Sequence, residues 1–234
     1  MTAQLPLALR WPRRQRFEHF HAGAHNAAAL AAVQALAGEP GAPWVYLHGP
    51  AGSGRSHLLL AAAQAASAAG RRVQYLPLAT LADRAAALRG VAGSEWLALD
   101  DLGALAGERD AEHALFDLYN RTRADGGAML FAAAAIPSEL GLGLPDLRSR
   151  LGACTQFTLK PLDDAERRQV LKAQAAVRGI ELDEPVLDWL FARYARDLGA
   201  LLDLLDRLDQ ASLAAQRRIT VPFLRGFLRE RGDR

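Results

Sequence analysis

With 234 residues, half of them hydrophobic, the chain has enough apolar material for one sizeable core, or for one core and a small satellite domain. It has no run of about 18 apolar residues, the length a membrane-spanning helix needs. Residues 1–16 carry arginines but no apolar block ending in a small-residue cleavage site, so they do not read as a signal peptide. The net charge is +2 and the basic residues, all Arg except Lys160 and Lys172, are spread along the chain, so charge gives no argument for nucleic-acid binding. A lone cysteine, Cys154, rules out an internal disulfide and fits a reducing, cytoplasmic compartment; its place in an apolar-alternating run predicts a buried strand residue.

Taken in order, residues 1–12 read as an extended tail, because Pro6 and Pro12 break any helix and no helical periodicity is present. Leu5, Leu7 and Leu9 then alternate onto one side. An Ala-rich helix is predicted over 24–37, followed by the breakers Gly38, Pro40, Gly41 and Pro43. Strands are predicted at 44–48, 73–76, 96–101, 128–135 and 156–159, with helices at 55–69, 78–88 (the weaker one) and 110–123. Leu115, Leu118 and Tyr119 mark the apolar side of that last helix. Strands alternating with helices imply a parallel sheet covered on both faces. After Pro161 the pattern is helical throughout. Asp163 with Glu166 makes a capping-box start, Asp183 and Pro185 open a second helix, 198–216 is a long third, and Thr220-Val221-Pro222 opens a fourth. The reading is therefore a tail over 1–12, an α/β domain over 13–160 and an α-helical domain over 161–234.

Gly49-Pro50-Ala51-Gly52-Ser53-Gly54-Arg55-Ser56 has the spacing of a Walker A loop, with Arg where Lys is usual. It follows a strand and opens a helix. Glycines let backbone N–H groups turn inward as an anion nest, and the helix N-terminus adds partial positive charge. Ser56 can ligate Mg2+, and His57 lies on the first helical turn, where it could touch phosphate or pack. An ordinary Gly-rich strand-to-helix turn has the same spacing. The acid pair Asp100-Asp101, at the end of a buried strand roughly 45 residues on, favours the nucleotide site, because Walker B acids hold Mg2+ and a water there. Arg is larger and planar, unlike the compact charge of Lys. Arg55 is therefore expected to permit binding while leaving intrinsic hydrolysis poor.

The segments 48–60, Leu99-Asp100-Asp101-Leu102, Phe116-Asp117-Leu118-Tyr119-Asn120-Arg121 and Gly143-Leu144-Pro145-Asp146-Leu147-Arg148-Ser149-Arg150-Leu151 resemble the AAA+ core of the replication initiator DnaA. The chain is similar above all to the Hda group, DnaA-related regulators of initiator inactivation. The resemblance covers nearly the whole chain and includes Gly-Arg-Ser in the P-loop. It implies a P-loop AAA+ fold, a parallel five-stranded sheet flanked by helices and followed by a small all-α lid, with ADP or ATP and Mg2+ as cofactors. It also implies that Gln4, Leu5 and Leu7 belong to a motif that docks on the polymerase III sliding clamp. Arg150 resembles an arginine finger acting in trans on ATP held by DnaA, with Arg148 as the fallback. Residues 17–26 resemble the segment beside the nucleotide base.

Two departures stand out. The polar sensor 1 position falls within Ala132–Ala135, and the sensor 2 arginine is replaced by Gly199, with Arg196 one turn earlier. Weak or absent self-hydrolysis is expected, with bound diphosphate serving as a structural pin. The sequence ends at Arg234 without the helix-turn-helix domain of DnaA, so sequence-specific DNA binding is not expected. A homodimer is possible on this reading. The cluster Phe17, His19, Phe20, His21 and His25 lacks Cys or acid at ligand spacing and is not read as a metal site. Trp189 and Phe191 read as helix core. The expected function is negative regulation of replication initiation, by stimulating hydrolysis of DnaA-bound ATP from the DNA-loaded clamp. The alternatives are an adaptor that recruits DnaA-like proteins without driving hydrolysis, and a self-sufficient motor ATPase.

Overall fold

The computed structural model describes residues 15–91, 93–194, 198–215 and 219–230. Gln4, Leu5 and Leu7 of the tail, and Arg196, lie outside the described residues. The chain divides into two compact units, Met1–Pro161 and Leu162–Arg234.

In the first unit β1 (Val45–His48), β2 (Val73–Pro77), β3 (Trp96–Asp100), β4 (Ala128–Ala133) and β5 (Thr155–Thr158) form one parallel sheet in the order β2-β3-β4-β1-β5. Parallel neighbours need crossovers, supplied by α2 (Arg55–Ala68), α3 (Arg84–Gly90), α4 (Arg109–Ala124) and α5 (Pro145–Gly152), while α1 (Ala27–Gly38) precedes the first strand. This is the expected five-stranded AAA+ sheet with its helices. β3, buried along its whole length, and β4 read as continuous apolar runs, whereas the edge strand β5 exposes Thr155, Gln156 and Thr158.

Two tryptophans tie helices and loops to this sheet. Trp96 of β3 is fully buried and its Nε1–H donates to the Leu36 carbonyl of α1 at 3.2 Å. Trp44, just before β1, donates to the Gly127 carbonyl at 3.1 Å and meets the Tyr119 ring edge-on at 4.6 Å. Both indoles thus bury a large ring while keeping the N–H satisfied.

The structure corrects several expectations. The helix expected over 78–88 is a 3-10 turn at Leu78–Thr80 followed by α3, because Asp83 accepts the Ala86 N–H at 2.8 Å and starts the helix there. β4 stops at Ala133; the Ala135 carbonyl leaves the ladder and accepts the Tyr46 hydroxyl at 2.9 Å. Cys154 is buried but sits in the turn before β5, where its Sγ–H points at the Arg150 carbonyl at 3.7 Å. Burial pushes its thiol up to about 11, so it is an inert structural group. Short 3-10 turns at Phe17–His19 and Leu102–Leu105, and α5 itself, carry no strong periodic signal and are seen only in the structure.

The second unit is α6 (Asp164–Val177), α7 (Glu184–Tyr194), α8 (Leu198–Ala215) and α9 (Val221–Glu230). Both bonds of the Asp163–Glu166 capping box form. Leu201, Leu204, Leu205 and Leu208 of α8 repeat at helical spacing and pack with Leu171, Leu187, Leu190, Phe191 and Leu224. Trp189 packs against this core from its margin. Arg168 bridges Asp188 at 2.8 Å and lies 4.9 Å over the Phe191 ring. Among the described residues no helix is long and apolar enough to cross a membrane.

One polar contact closes the α/β unit. Asn26 precedes α1 but does not cap it. Its amide, 2% exposed, donates to the Lys160 carbonyl at 2.8 Å and accepts the Lys160 N–H at 3.0 Å. It fastens the entry of the first helix to the chain leaving β5. Loss of one side of a buried hydrogen-bonded pair costs about 1–3 kcal/mol. Asn26→Ala is expected to lower unfolding stability by about that much. Asn26→Asp, which sets a carboxylate against the Lys160 carbonyl, should do at least as much harm. The shift of the urea midpoint at constant slope checks both.

Candidate functional site

The loop after β1 is shaped by a close approach. Leu159 N–H donates to the His48 carbonyl at 2.6 Å, and the Leu159 carbonyl passes so near Gly49 that a Cβ there would lie 2.3 Å from its oxygen. Only glycine fits. Gly54, at φ 91°, is left-handed, and a Cβ on it would come within 2.6 Å of the Phe20 ring. Gly52 is also left-handed, at φ 78°. The chain then enters α2 at Arg55, with Gly54 contributing no side-chain cap. The first amides of a helix have no partner within it and form a positive end.

Two buried polar atoms at the head of α2 have no hydrogen-bond partner among the described residues. Ser53 is buried and its Oγ is without a partner; the same holds for Nη1 of Arg55. Buried donors left unpaired are costly. With the uncapped amides they form a cationic, donor-rich cradle suited to an anion. The donor set fits a phosphate chain, and the exposed Ser56 hydroxyl adjoins it as an oxygen ligand for a cation.

β4 separates β1 from β3 in the sheet, yet Arg55 bridges the gap: its Nη2 lies 4.0 Å from Oδ1 of Asp101. Asp101 takes φ 55°, the one positive φ on a non-glycine among the described residues, a conformation that Asp tolerates better than most. Burial, and then the neighbouring Asp100, raise its carboxyl above the ordinary range, with Arg55 opposing. Asp100 is 2% exposed and both of its oxygens are engaged. Oδ1 accepts the Asp101 N–H at 3.0 Å and Oδ2 accepts the Tyr75 hydroxyl at 2.9 Å. Burial, then the Asp100 charge, push the Tyr75 hydroxyl strongly up, so it stays a donor. Tyr75 pairs with Ala98 in the β2–β3 ladder, on the face that Asp100 shares. That register is not readable from the sequence.

His57 turns away from the loop. Its Nε2 is 2.9 Å from the Arg16 carbonyl and its ring meets Phe20 edge-on at 5.5 Å. Burial lowers its pKa, so it is neutral and donates to that carbonyl. His57 and Phe20 thus strap the 16–20 segment to the first turn of α2.

Arg150 lies elsewhere, near the end of α5. It is exposed, and among the described residues no acid pairs with it. Its guanidinium carbon stands 5.8 Å from the Phe116 ring and 5.8 Å from the Tyr119 ring, both on α4. A planar guanidinium over aromatic faces is held while its N–H edge stays available. Arg148, one residue past Leu147 on α5, lines a cleft of about 280 Å³ with Pro137, Ser149 and Gln156. At the end of β4, Ala132 and Ala133 are fully buried methyl groups. Gly199 lies in the first turn of α8.

The model of the bacterial DnaA ATPase domain matches residues 12–157, and the model described as the Hda lid domain matches residues 164–228. Domain III of the Thermotoga maritima replication initiation protein DnaA is similar in fold. It has a TM-score of 0.70 or better, namely 0.74, at 20% identity, over 94% of this chain and 98% of that one. AMPPCP-bound DnaA from Aquifex aeolicus gives 0.70 at 23% identity, over 87% and 67%. The Thermotoga maritima RuvB Holliday junction branch migration motor gives 0.60 at 19%, over 86% and 66%. At these identities the structural likenesses establish the fold. The DnaA model spans most of the α/β unit and the Hda lid model most of the helical unit, so the chain belongs to the Hda/DnaA-related AAA+ family.

Proposed function

We propose that this protein is a regulator that holds an adenine nucleotide as a structural pin and supplies Arg150 in trans to ATP bound by DnaA. The observation that carries this reading is the exposed, acid-free guanidinium of Arg150, held by two aromatic rings. A cation fixed in that way is available to a charge on another molecule. A finger arginine neutralises charge that develops on the transferred phosphoryl and contributes about 10³ to 10⁵ in rate.

The chain's own nucleotide would be held by Gly49, Gly52, Gly54 and the first amides of α2, with Ser53 and Arg55 donating to phosphate. Mg2+ would be held through Ser56 and Asp100. When bound, the metal would screen phosphate charge. Asp101, beside Arg55, is the acid placed to orient a water. Two features argue for poor turnover at this site. The buried methyls of Ala132 and Ala133 cannot orient a water, and the position that by resemblance corresponds to a sensor 2 arginine is Gly199. The tail residues Gln4, Leu5 and Leu7 fit an extended peptide that docks into an apolar pocket of the sliding clamp, with the amide fixing orientation. Clamp tethering on DNA would then confine inactivation of DnaA to replicated DNA, a negative control on initiation.

Two outcomes are expected. Arg55→Ala should weaken ADP binding about 10- to 100-fold, the equivalent of one hydrogen bond to a charged group. Calorimetric titration of nucleotide-free protein checks it, and an unchanged Kd would remove Arg55 from the phosphate site. Arg150→Ala should reduce stimulated hydrolysis of DnaA-bound ATP by about 10³-fold while leaving clamp pull-down intact. Phosphate release measured with clamp-loaded DNA decides between readings. Stimulation that survives Arg150→Ala refutes the finger, and no stimulation by the unaltered protein favours the adaptor.

A further inference from the structure

Glu112 is a buried acid with no role in the site described above. It is 2% exposed, in the first turn of α4, and among the described residues no basic side chain pairs with it. A carboxylate in that position is tolerable only if hydrogen bonds replace its water. Three backbone donors do so. Oε1 accepts the N–H of Gly107 at 3.2 Å and of Gly143 at 3.0 Å, and Oε2 accepts the N–H of Leu144 at 2.7 Å.

Two of those donors immediately precede α5. Leu144 is its N-cap residue and offers no side-chain cap, and Pro145 is its first residue. At the other end of the helix the Tyr119 hydroxyl donates to the Arg150 carbonyl at 3.3 Å. Glu112 and Tyr119 are two turns apart on α4, so they lie on one face. α5 has eight residues, too few to hold its place through its own backbone bonds. Buried Leu147 and Leu151 set its roll, and the two side chains of α4 set where it starts and where it ends.

We infer that Glu112 is a positioning residue for Arg150: by clamping the amides of Gly143 and Leu144 it fixes α5 on α4 and so aims the guanidinium at the neighbouring nucleotide. This rests on the finger reading above. A guanidinium must sit within a fraction of an ångström to meet developing charge, and a displacement of about 1 Å costs about 10²-fold in rate.

Glu112→Gln keeps the shape but turns one oxygen into a donor, which must then face a backbone N–H. The full-length variant is compared with Arg150→Ala in the hydrolysis assay with DnaA and clamp-loaded DNA, varying its concentration. Glu112→Gln is expected to lower the maximal stimulated rate at least about 10-fold while changing the half-maximal concentration less than about two-fold. Hydrogen exchange at the Gly143 and Leu144 amides should accelerate in the same sample, with cooperative thermal unfolding retained. Tyr119→Phe, which removes one hydroxyl from the far end of α5, should lower the maximal rate in the same direction and covers the case in which Glu112→Gln does not fold. If Arg150→Ala abolishes stimulation while Glu112→Gln and Tyr119→Phe keep the full maximal rate, the positioning role is overturned and the finger stands. Full stimulation by Arg150→Ala overturns the finger, and the positioning role with it.

Discussion

A parallel sheet sends the C-terminal ends of all its strands to one edge, and this constraint organises the first unit. The loop after β1 and the acids after β3 are separated by β4, yet they meet because every strand runs the same way. Arg55 spans the width of one strand to come within 4.0 Å of Asp101. The same edge receives the chain from β5, whose Leu159 carbonyl presses on Gly49. The phosphate-loop geometry is thus fixed from two sides: by the strand before it and by the chain leaving the sheet's edge strand.

What the sequence discloses follows from the range of the interactions involved. The loop at 49–56 is legible because its glycines serve local backbone needs, and Asp100 is legible because it ends an apolar run. The helices α4 and α8 are legible because their apolar residues repeat at helical spacing. The groups that hold the site together are illegible for the opposite reason. Glu112 reads as an ordinary acid in a first helical turn, and its burial depends on Gly143 and Leu144, some 30 residues away. Tyr75 meets Asp100 only through the β2–β3 register, and Asn26 falls inside the stretch that reads as helix over 24–37, although its amide is committed to Lys160 before the helix begins. Short elements suffer too. The eight residues of α5 carry two buried leucines, too weak a pattern to separate from a loop, and the single capping bond of Asp83 splits a stretch that periodicity alone joins.

The two arginines singled out in the chain are held in opposite ways, and the contrast bears on what each can do. Arg55 is largely buried, with one nitrogen orphaned and the other facing an acid. Its charge is directed inward, and its unmet hydrogen bond favours an anion bound within the same molecule. Arg150 is exposed, rests on Phe116 and Tyr119, and has its backbone tethered through Tyr119. Aromatic rings restrain a guanidinium without neutralising it, as a carboxylate would. An ion pair at that position would have to be broken, at a cost of desolvation and lost Coulomb energy, before the side chain could serve another molecule.

The same reasoning explains why a carboxylate sits behind Arg150 and not beside it. Glu112 spends both of its oxygens on backbone amides, so it steadies the helix that carries Arg150, the finger in the proposed function, without drawing the guanidinium toward itself. An acid placed within reach of Arg150 would fix the side chain equally well and leave it occupied. Dividing the task between rings that hold the side chain and a buried acid that holds the backbone gives rigidity with the charge still free. Preorganised charge of this kind is what electrostatic stabilisation of a transition state requires, because no reorganisation is then needed when the phosphoryl group moves.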